Sequence, residues 1–535
     1  MSARVQWSGM AMAASVVALG VTPIVAQGSS GTPVYSISQV NKGGFEPRIS
    51  IAPDGTRWVS TQDPNGTGAL DLLGAGTEVV YSSKNGGVSW TRTPTDPQNV
   101  TNPCCDNEMA VSPTGRIFTS VIDFTTININ IQYSDDGGQT WHTSAGNTAA
   151  DQDREWLAVG TKDPVTGMND VYMLWHNLAS GAAQHAMMVS TSRDNGATFG
   201  APVPITLPGS EAYLDLQCAD SGGPSNIFTN PSNGWVYAVF GTRSKALAGV
   251  NGGGCAASAT QAFEINIVAA TKVWVSVSKD QGLTWTNSRA VDDSVGGNIV
   301  GMQVNAGALD NQGNVYLVYP ESPQAYPNYD GASVRYTWAP PDLSSWSKPV
   351  TVAPSGGAGH ILTHLAAGDP GKVSFFYLAG VNPSGSGAPA WYPTIAQTYD
   401  GQSASPHFVE QRVSNTPAWT GTATTLMGVC NPFPSAVGPV NGAANGLACP
   451  RSSDVLGQAI DAQCNPTFTW DNNGDPTANP SVGTWVVRQT DGPSLCGALT
   501  AVTPEAGLSA LVLAAGAAGV ATALYARRRR RHPTI

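Results

Sequence analysis

Charge is scarce in this chain of 535 residues, with Asp, Glu, Lys and Arg together making up only 12%. Uninterrupted runs of Ala, Leu, Glu and Lys are missing, and 60 Gly and 38 Pro break the sequence into short pieces. This excludes helical bundles and coiled coils, whose helices need strong formers without breakers. The eight cysteines show no paired spacing of the zinc-site kind, so no metal centre is expected. Basic residues are short as well. Of 26 Lys and Arg, six lie in the terminal segments (Arg4 and Arg527 to Arg531), leaving 20 against 37 Asp and Glu. An imbalance of that sign excludes nucleic acid and anionic membrane surfaces as partners of the central region.

The two ends differ from the middle. Residues 1–26 pair Arg4 with the apolar stretch Met10 to Val25 and a small residue, Ala26, as a secretory signal does. Near the other end, Leu508 to Tyr525 is free of charge over 18 residues and is followed by five arginines. That length spans a bilayer as a helix, and the arginine block sets its cytoplasmic side. The expected organisation is a signal peptide (1–26), an ectodomain (27–500), a linker (501–507), a transmembrane helix (508–526) and a basic cytoplasmic tail (527–535). The protein is thus expected to be exported and held in the cell membrane by one span.

Cysteines in an exported chain tend to pair. Proximity suggests Cys218 with Cys255, Cys430 with Cys449, and Cys464 with Cys496. Cys104 and Cys105 are adjacent, which leaves a vicinal bond or two separate bonds open.

A two-strand unit recurs along the ectodomain: a short strand, a tight turn with Gly, then a β-branched and aromatic strand. Examples are ISIAPDGTRWVST from Ile49, MAVSPTGRIFTSVI from Met109 and ALDNQGNVYLVY from Ala308. Seven such units follow one another, typically about sixty residues apart, room for about four strands and their loops each. Four-stranded units repeated around a circle make a β-propeller. The last unit lacks a fourth strand, and VYSISQV (Val34 to Val40) is an unassigned strand ahead of the first. It is expected to supply the missing outer strand and close the ring.

Late in each of the first four units comes a near-copied octapeptide: SKNGGVSW, SDDGGQTW, SRDNGATF and SKDQGLTW. Their marked positions are Ser83, Asn85, Gly87 and Trp90; Ser134, Asp136, Gly138 and Trp141; Ser192, Asp194, Gly196 and Phe199; Ser278, Asp280, Gly282 and Trp285. Ser and Asp or Asn accept hydrogen bonds from turn N–H groups, glycine permits the bend, and the aromatic ring packs into the sheet. A set repeated four times at equivalent positions is scaffold rather than a catalytic centre.

These octapeptides match Ser-x-Asp-x-Gly-x-x-Trp, and over Val34 to Thr490 the chain resembles the sialidase-like Asp-box β-propellers of secreted bacterial proteins. The resemblance implies an all-β propeller, with six blades where the repeats give seven. It also implies an arginine triad for the substrate carboxylate, a Tyr–Glu nucleophile pair and an Asp acid/base. The family's first arginine lies in Phe/Tyr-Arg-Ile-Pro. Here the text is GFEPRIS, with Phe45 at the aromatic, Glu46 at the arginine and Arg48 displaced by two. At the second arginine stand Gln62 and Asp63. Asp71 falls near the family's acid, and Tyr213, with Glu211 two residues away, is the candidate nucleophile. Arg48, Arg154 and Arg451 are the candidates for an alternative anion clamp.

Ligand candidates are the polar residues at the starts of the innermost strands, which crowd around a propeller's axis. They are Glu46, Arg48, Asp106, Glu108, Asp153, Arg154, Glu155, Asp215, His360, His364, Arg451 and Asp454. A carboxylate-lined funnel of this kind suits polyhydroxylated sugars or calcium. DNNGDP from Asp471 resembles a calcium loop but lacks the remaining ligands, so it reads as a turn and no cofactor is expected. The leading expectation is a glycan- or protein-binding surface module without the usual sialidase arginines. The alternatives are an exo-sialidase-type glycoside hydrolase and a structural envelope protein.

Overall fold

The computed structural model describes residues 31–42, 44–63, 77–97, 103–123, 126, 128–149, 151–177, 187–216, 224–242, 270–295, 299–300, 306–322, 331–382, 389–420, 456–472 and 483–497. The terminal segments 1–26 and 501–535 lie outside these residues, as do Asp71, Cys218, Cys255, Cys430, Cys449, Arg451 and Asp454. Among the described residues, no helix is long and apolar enough to cross a membrane.

Seven antiparallel sheets follow in chain order, each of four or five strands. They form a propeller whose first six blades are contiguous in sequence. Their inner strands are Phe45–Ile51, Pro103–Val111, Gln152–Lys162, Pro224–Thr229, Ala306–Leu309 and Gly359–Ala367. Blade 7 takes Gln458–Ile460, Pro466–Asn472 and Gly483–Asp491, and its outer strand is Val34–Gln39 from the other end of the chain. The ring is thus seven-bladed, as the repeat count predicts and against the six implied by the family.

Middle strands are buried on both faces, because every blade is covered by two neighbours. Val236–Thr242 and Lys272–Ser278 are buried at every position. That is why their sequences, VYAVFGT and KVWVSVS, run apolar or small apart from the ion-paired Lys272, where a half-exposed strand would alternate. Outer strands such as Thr91–Arg92 are short and exposed, which limits edge-to-edge pairing with other molecules.

The octapeptides are the turns from third to outer strands. In each, the Ser hydroxyl accepts the N–H of the marked glycine: Gly87, Gly138, Gly196 and Gly282 donate at 2.8, 2.9, 2.8 and 2.8 Å. The Asp carboxylates accept from Thr140, Thr198 and Thr284 N–H at 2.8 to 2.9 Å, and the amide oxygen of Asn85 accepts from Ser89 at 3.1 Å. Asp136 is held down to about 2, first by the Thr140 hydrogen bonds. Trp90 and Trp141 reach back a blade, donating Nε1–H to Ser38 Oγ at 2.9 Å and to Thr95 O at 3.0 Å. The turns therefore stitch blade to blade.

A fifth turn of this chemistry, absent from the pattern above, sits in blade 6. Thr398 Oγ1 donates to Asp400 Oδ1 at 2.9 Å, and that carboxylate takes His407 N–H and Nδ1 at 2.9 and 2.8 Å. Seven residues separate Asp400 from His407, so the insertion hides it from an eight-residue motif.

Cys464 and Cys496 are disulfide-bonded. Cys464 holds φ at 59°, in the turn position that Gly55, Gly115 and Gly371 occupy in other blades. Its bond fixes Pro493 to Gly497 beneath the last blade, where Leu495 is fully buried and accepts the Asp369 N–H at 2.8 Å. The side chains of Cys104 and Cys105 lie outside what is described.

Candidate functional site around the propeller axis

The inner strands of blades 1, 2, 3 and 6 break register between Phe45 and Arg48, Cys104 and Glu108, Asp153 and Trp156, and Ile361 and His364. At each break one residue is left-handed: Glu46, Asp106, Arg154 and Leu362 have φ of 50, 54, 54 and 54°. That conformation costs an L-residue about 1 kcal/mol or more. Such bulges re-aim side chains. Two residues further on, Arg48, Glu108, Trp156 and His364 take equivalent places and line one axial cavity of about 560 Å³.

Arg48 and Glu108 close on each other inside it. Arg48 Nε donates to Glu108 Oε1 at 2.9 Å and Nη2 to Oε2, while Nη1 donates to Leu456 O at 2.6 Å. The guanidinium carbon lies 3.9 Å from the Trp156 ring centre, a cation–π contact. Arg48 and Glu108 are only 3% and 7% exposed. A bidentate partner, a backbone carbonyl and an aromatic face leave this guanidinium little capacity for an external anion. His364 is buried nearby; burial first, then the charge of Arg48, bring it down to about 3, so it is neutral at physiological pH.

From Arg48 the cavity runs past Asn226, Gly307 and Gln458 to Asn311, Cys464 and Cys496. Its lining thus extends from the register breaks to the ends of the inner strands. Asn226 Nδ2 and Gln458 Nε2 both donate to Gly307 O, at 2.8 and 3.0 Å. Inner strands pair with another strand on one side only. On the other, side chains take up backbone groups, as Asn226 and Gln458 do at Gly307 O and Gln458 Oε1 does at the Leu365 N–H, 3.0 Å away.

The acids at the strand starts are drawn into the protein. Glu46 Oε2 accepts the Asp106 N–H at 2.5 Å, tying blade 1 to blade 2. Asp153 lies 3.8 Å from Arg154 Nε, with both side chains nearly buried. Glu155 is 2% exposed. Burial, then the charge of Asp106, push its carboxyl well above the usual range.

Other candidates lie apart from this cluster. Tyr213 is on the short helix Glu211–Leu216 ahead of blade 4. Glu211 accepts from Lys272 Nζ at 2.7 Å and from Arg289 Nη1 at 2.7 and 3.0 Å, and Asp215 accepts from Lys272 at 2.8 Å. The Lys272 hydrogen bond is the main reason the Glu211 carboxyl is held low. His360 lies with its Nδ1 2.9 Å from Ala332 O.

Trp156, Asn226, Gln458 and Lys272 escaped the sequence reading. For Trp156 the signal was present: RISIAP, EMAVSP and WLAVGT align it with Arg48 and Glu108.

No protein-family model matches the chain, and no curated protein matches it. Among solved structures it is similar to an ulvan lyase from a new family of polysaccharide lyases (12% identity, TM-score 0.48, covering 85% of this chain and 95% of that one). It is also similar to an α-L-arabinanase of Penicillium chrysogenum (9% identity, TM-score 0.42, 86% and 98%). A third is the sialidase NanB of Streptococcus pneumoniae (9% identity, TM-score 0.40, 86% and 71%).

Proposed function

We propose that this chain is a non-catalytic, glycan-binding propeller of the sialidase-like Asp-box type, exported and displayed at the cell surface. The observation that carries the reading is the Arg48–Glu108 pair. The one arginine near the family's motif is bonded to a carboxylate of the next blade, and Gln62 and Asp63 stand where the second would be. An acid such as Asp63 in that place disfavours a sialate carboxylate. The Glu211 carboxylate, expected to activate Tyr213, is instead engaged by Lys272 and Arg289, and two residues apart on one helix the two side chains do not face each other.

A glycoside hydrolase is the second reading, and Glu155 favours it. A carboxyl whose protonated form is favoured by burial and by the charge of Asp106 is what a general acid needs. Its burial places it out of reach of substrate.

The test is hydrolysis of a fluorogenic sialoside by the purified full chain beside Tyr213→Phe. The expected result is no turnover by either protein above the uncatalysed rate. Turnover that Tyr213→Phe abolishes overturns the reading.

A further inference from the structure

The seams between blades 2 and 3 and between blades 3 and 4 share one inter-blade chemistry, and the seam between blades 1 and 2 departs from it. Gly86 takes the same turn place at the seam of blades 7 and 1, where Arg57 and Arg488 come within 3.5 and 3.9 Å of where its Cβ would be. Between blades 2 and 3, Asn195 fills the gap below the turns. Its Nδ2 donates to Thr114 Oγ1 at 3.2 Å, and Arg116 Nη1 donates to Asn195 O at 2.8 Å. Between blades 3 and 4, Gln281 stands in the same place, and its carbonyl accepts from Arg193 Nη2 at 2.7 Å. Asn195 and Gln281 hold φ at 56 and 60°, a conformation that costs non-glycine residues something to keep.

Between blades 1 and 2 the same positions are Gly137, Asp54 and Thr56, in place of Asn195, Thr114 and Arg116. No side chain crosses from residue 137, and Thr56 is too short to bridge as Arg116 does. The aromatic at the base differs too. Phe118 and Tyr172 are fully buried in their seams, whereas Trp58 is 7% exposed. A Cβ on Gly137 would sit 4.0 Å from Trp58 Cη2, in ordinary van der Waals contact, whereas at the next position a Cβ on Gly138 would collide with Thr93 as one on Gly196 would with Phe118, at 2.4 and 2.2 Å. The apolar core of this seam is small: Ala52, Trp58, Val80, Met109 and Ile117. What remains is a cleft of about 890 Å³ whose lining includes Trp58, Asp54, Lys84, Asn85, Gly137 and Gln139.

We infer that this cleft binds a neutral saccharide unit of the glycan, with Trp58 as its apolar floor. The inference rests on the glycan-binding reading above and gives it a place away from the axis. A sugar ring offers an apolar face and a rim of hydroxyls. The cleft offers an indole edge below and short amides and hydroxyls around it. Its charges are of both signs, with Lys84 near Asp54, so neither anionic nor cationic ligands gain from it. The volume suits a ligand of one to a few rings, since small-molecule pockets run to about 300–1,000 Å³.

The experiment is calorimetric titration of the full chain with cellohexaose, maltohexaose and mannohexaose at up to millimolar concentration. Gly137→Asn is titrated beside it, installing the residue that blade 3 carries there. Asn tolerates positive φ, so the variant is expected to match the parent in melting temperature. Binding of at least one hexasaccharide is expected, weakened about tenfold or more in Gly137→Asn, the equivalent of about 1.4 kcal/mol. Trp58→Phe, which copies blade 2, is expected to weaken it in the same direction.

Absence of binding by all three sugars overturns the inference, and so does binding that Gly137→Asn leaves unchanged. Unchanged binding leaves the glycan-binding reading intact and only moves the site. Sialoside turnover with binding still lost in Gly137→Asn has the opposite meaning: the non-catalytic reading fails and the cleft stands.

Discussion

Glu155 shows how a single residue reports on the axis. Its carboxyl keeps its proton to a higher pH in the folded protein than in the unfolded chain, because burial and Asp106 disfavour the anion. The native state therefore binds more protons than the unfolded one as pH rises above about 4.3, and stability falls through that window. Glu155→Gln keeps the shape and cannot ionise. The variant is expected to melt with the parent near pH 4 and at a higher temperature at pH 8. Melting curves at the two pH values check this, and a variant less stable at pH 8 would contradict it. His364, lowered to about 3, has the opposite sign: its contribution is complete above the unfolded histidine value and fades on acidification. None of this was legible in the sequence. The residue types at the strand starts could be read, but whether Arg48 met Glu108 or an outside anion depended on the bulges that turn these side chains, and the text carries no mark for a non-glycine residue at positive φ.

The turn is the element on which the blades depend. Ser192 is fully buried, accepts the Gly196 N–H and donates to Asp194. Removing its hydroxyl leaves a buried N–H without an acceptor, at about 1–3 kcal/mol. Ser192→Ala is expected to lower the urea midpoint accordingly, with an unchanged slope. This element was the most readable part of the chain, since Ser, Asp, Gly and aromatic each perform a local task that needs no knowledge of the partner blade. The motif failed where local spacing failed. The blade 6 turn does the same work with Thr398, Asp400 and His407, and the longer loop removes it from the pattern.

At the scale of the molecule, the ring depends on one pairing between distant parts of the chain. Val34–Gln39 lies against Gly483–Asp491 in antiparallel register, Ile37 opposite Val487. Deleting residues 34–39 uncovers a nine-residue strand edge, which is a template for pairing with another molecule. The shortened protein is expected to associate, and sedimentation velocity checks this: a monomer at micromolar concentration would contradict the role given to the strand. Closure was legible because the count left one blade a strand short and one strand without a blade. The seam between blades 1 and 2 was not, because an open cleft is defined by side chains that are missing on two elements at once.

That pairing also sets an order in time. Thr490 Oγ1 bonds to Val34 O across a sequence separation of 456, so a strand made early must wait for one made nearly last. Six blades can form as they are synthesised, but the seventh cannot be completed until the chain has almost all emerged. Contacts of such span are slow to form. The waiting strand, VYSISQ, is alternating and β-prone, and during that interval it is the segment of the molecule most in need of protection.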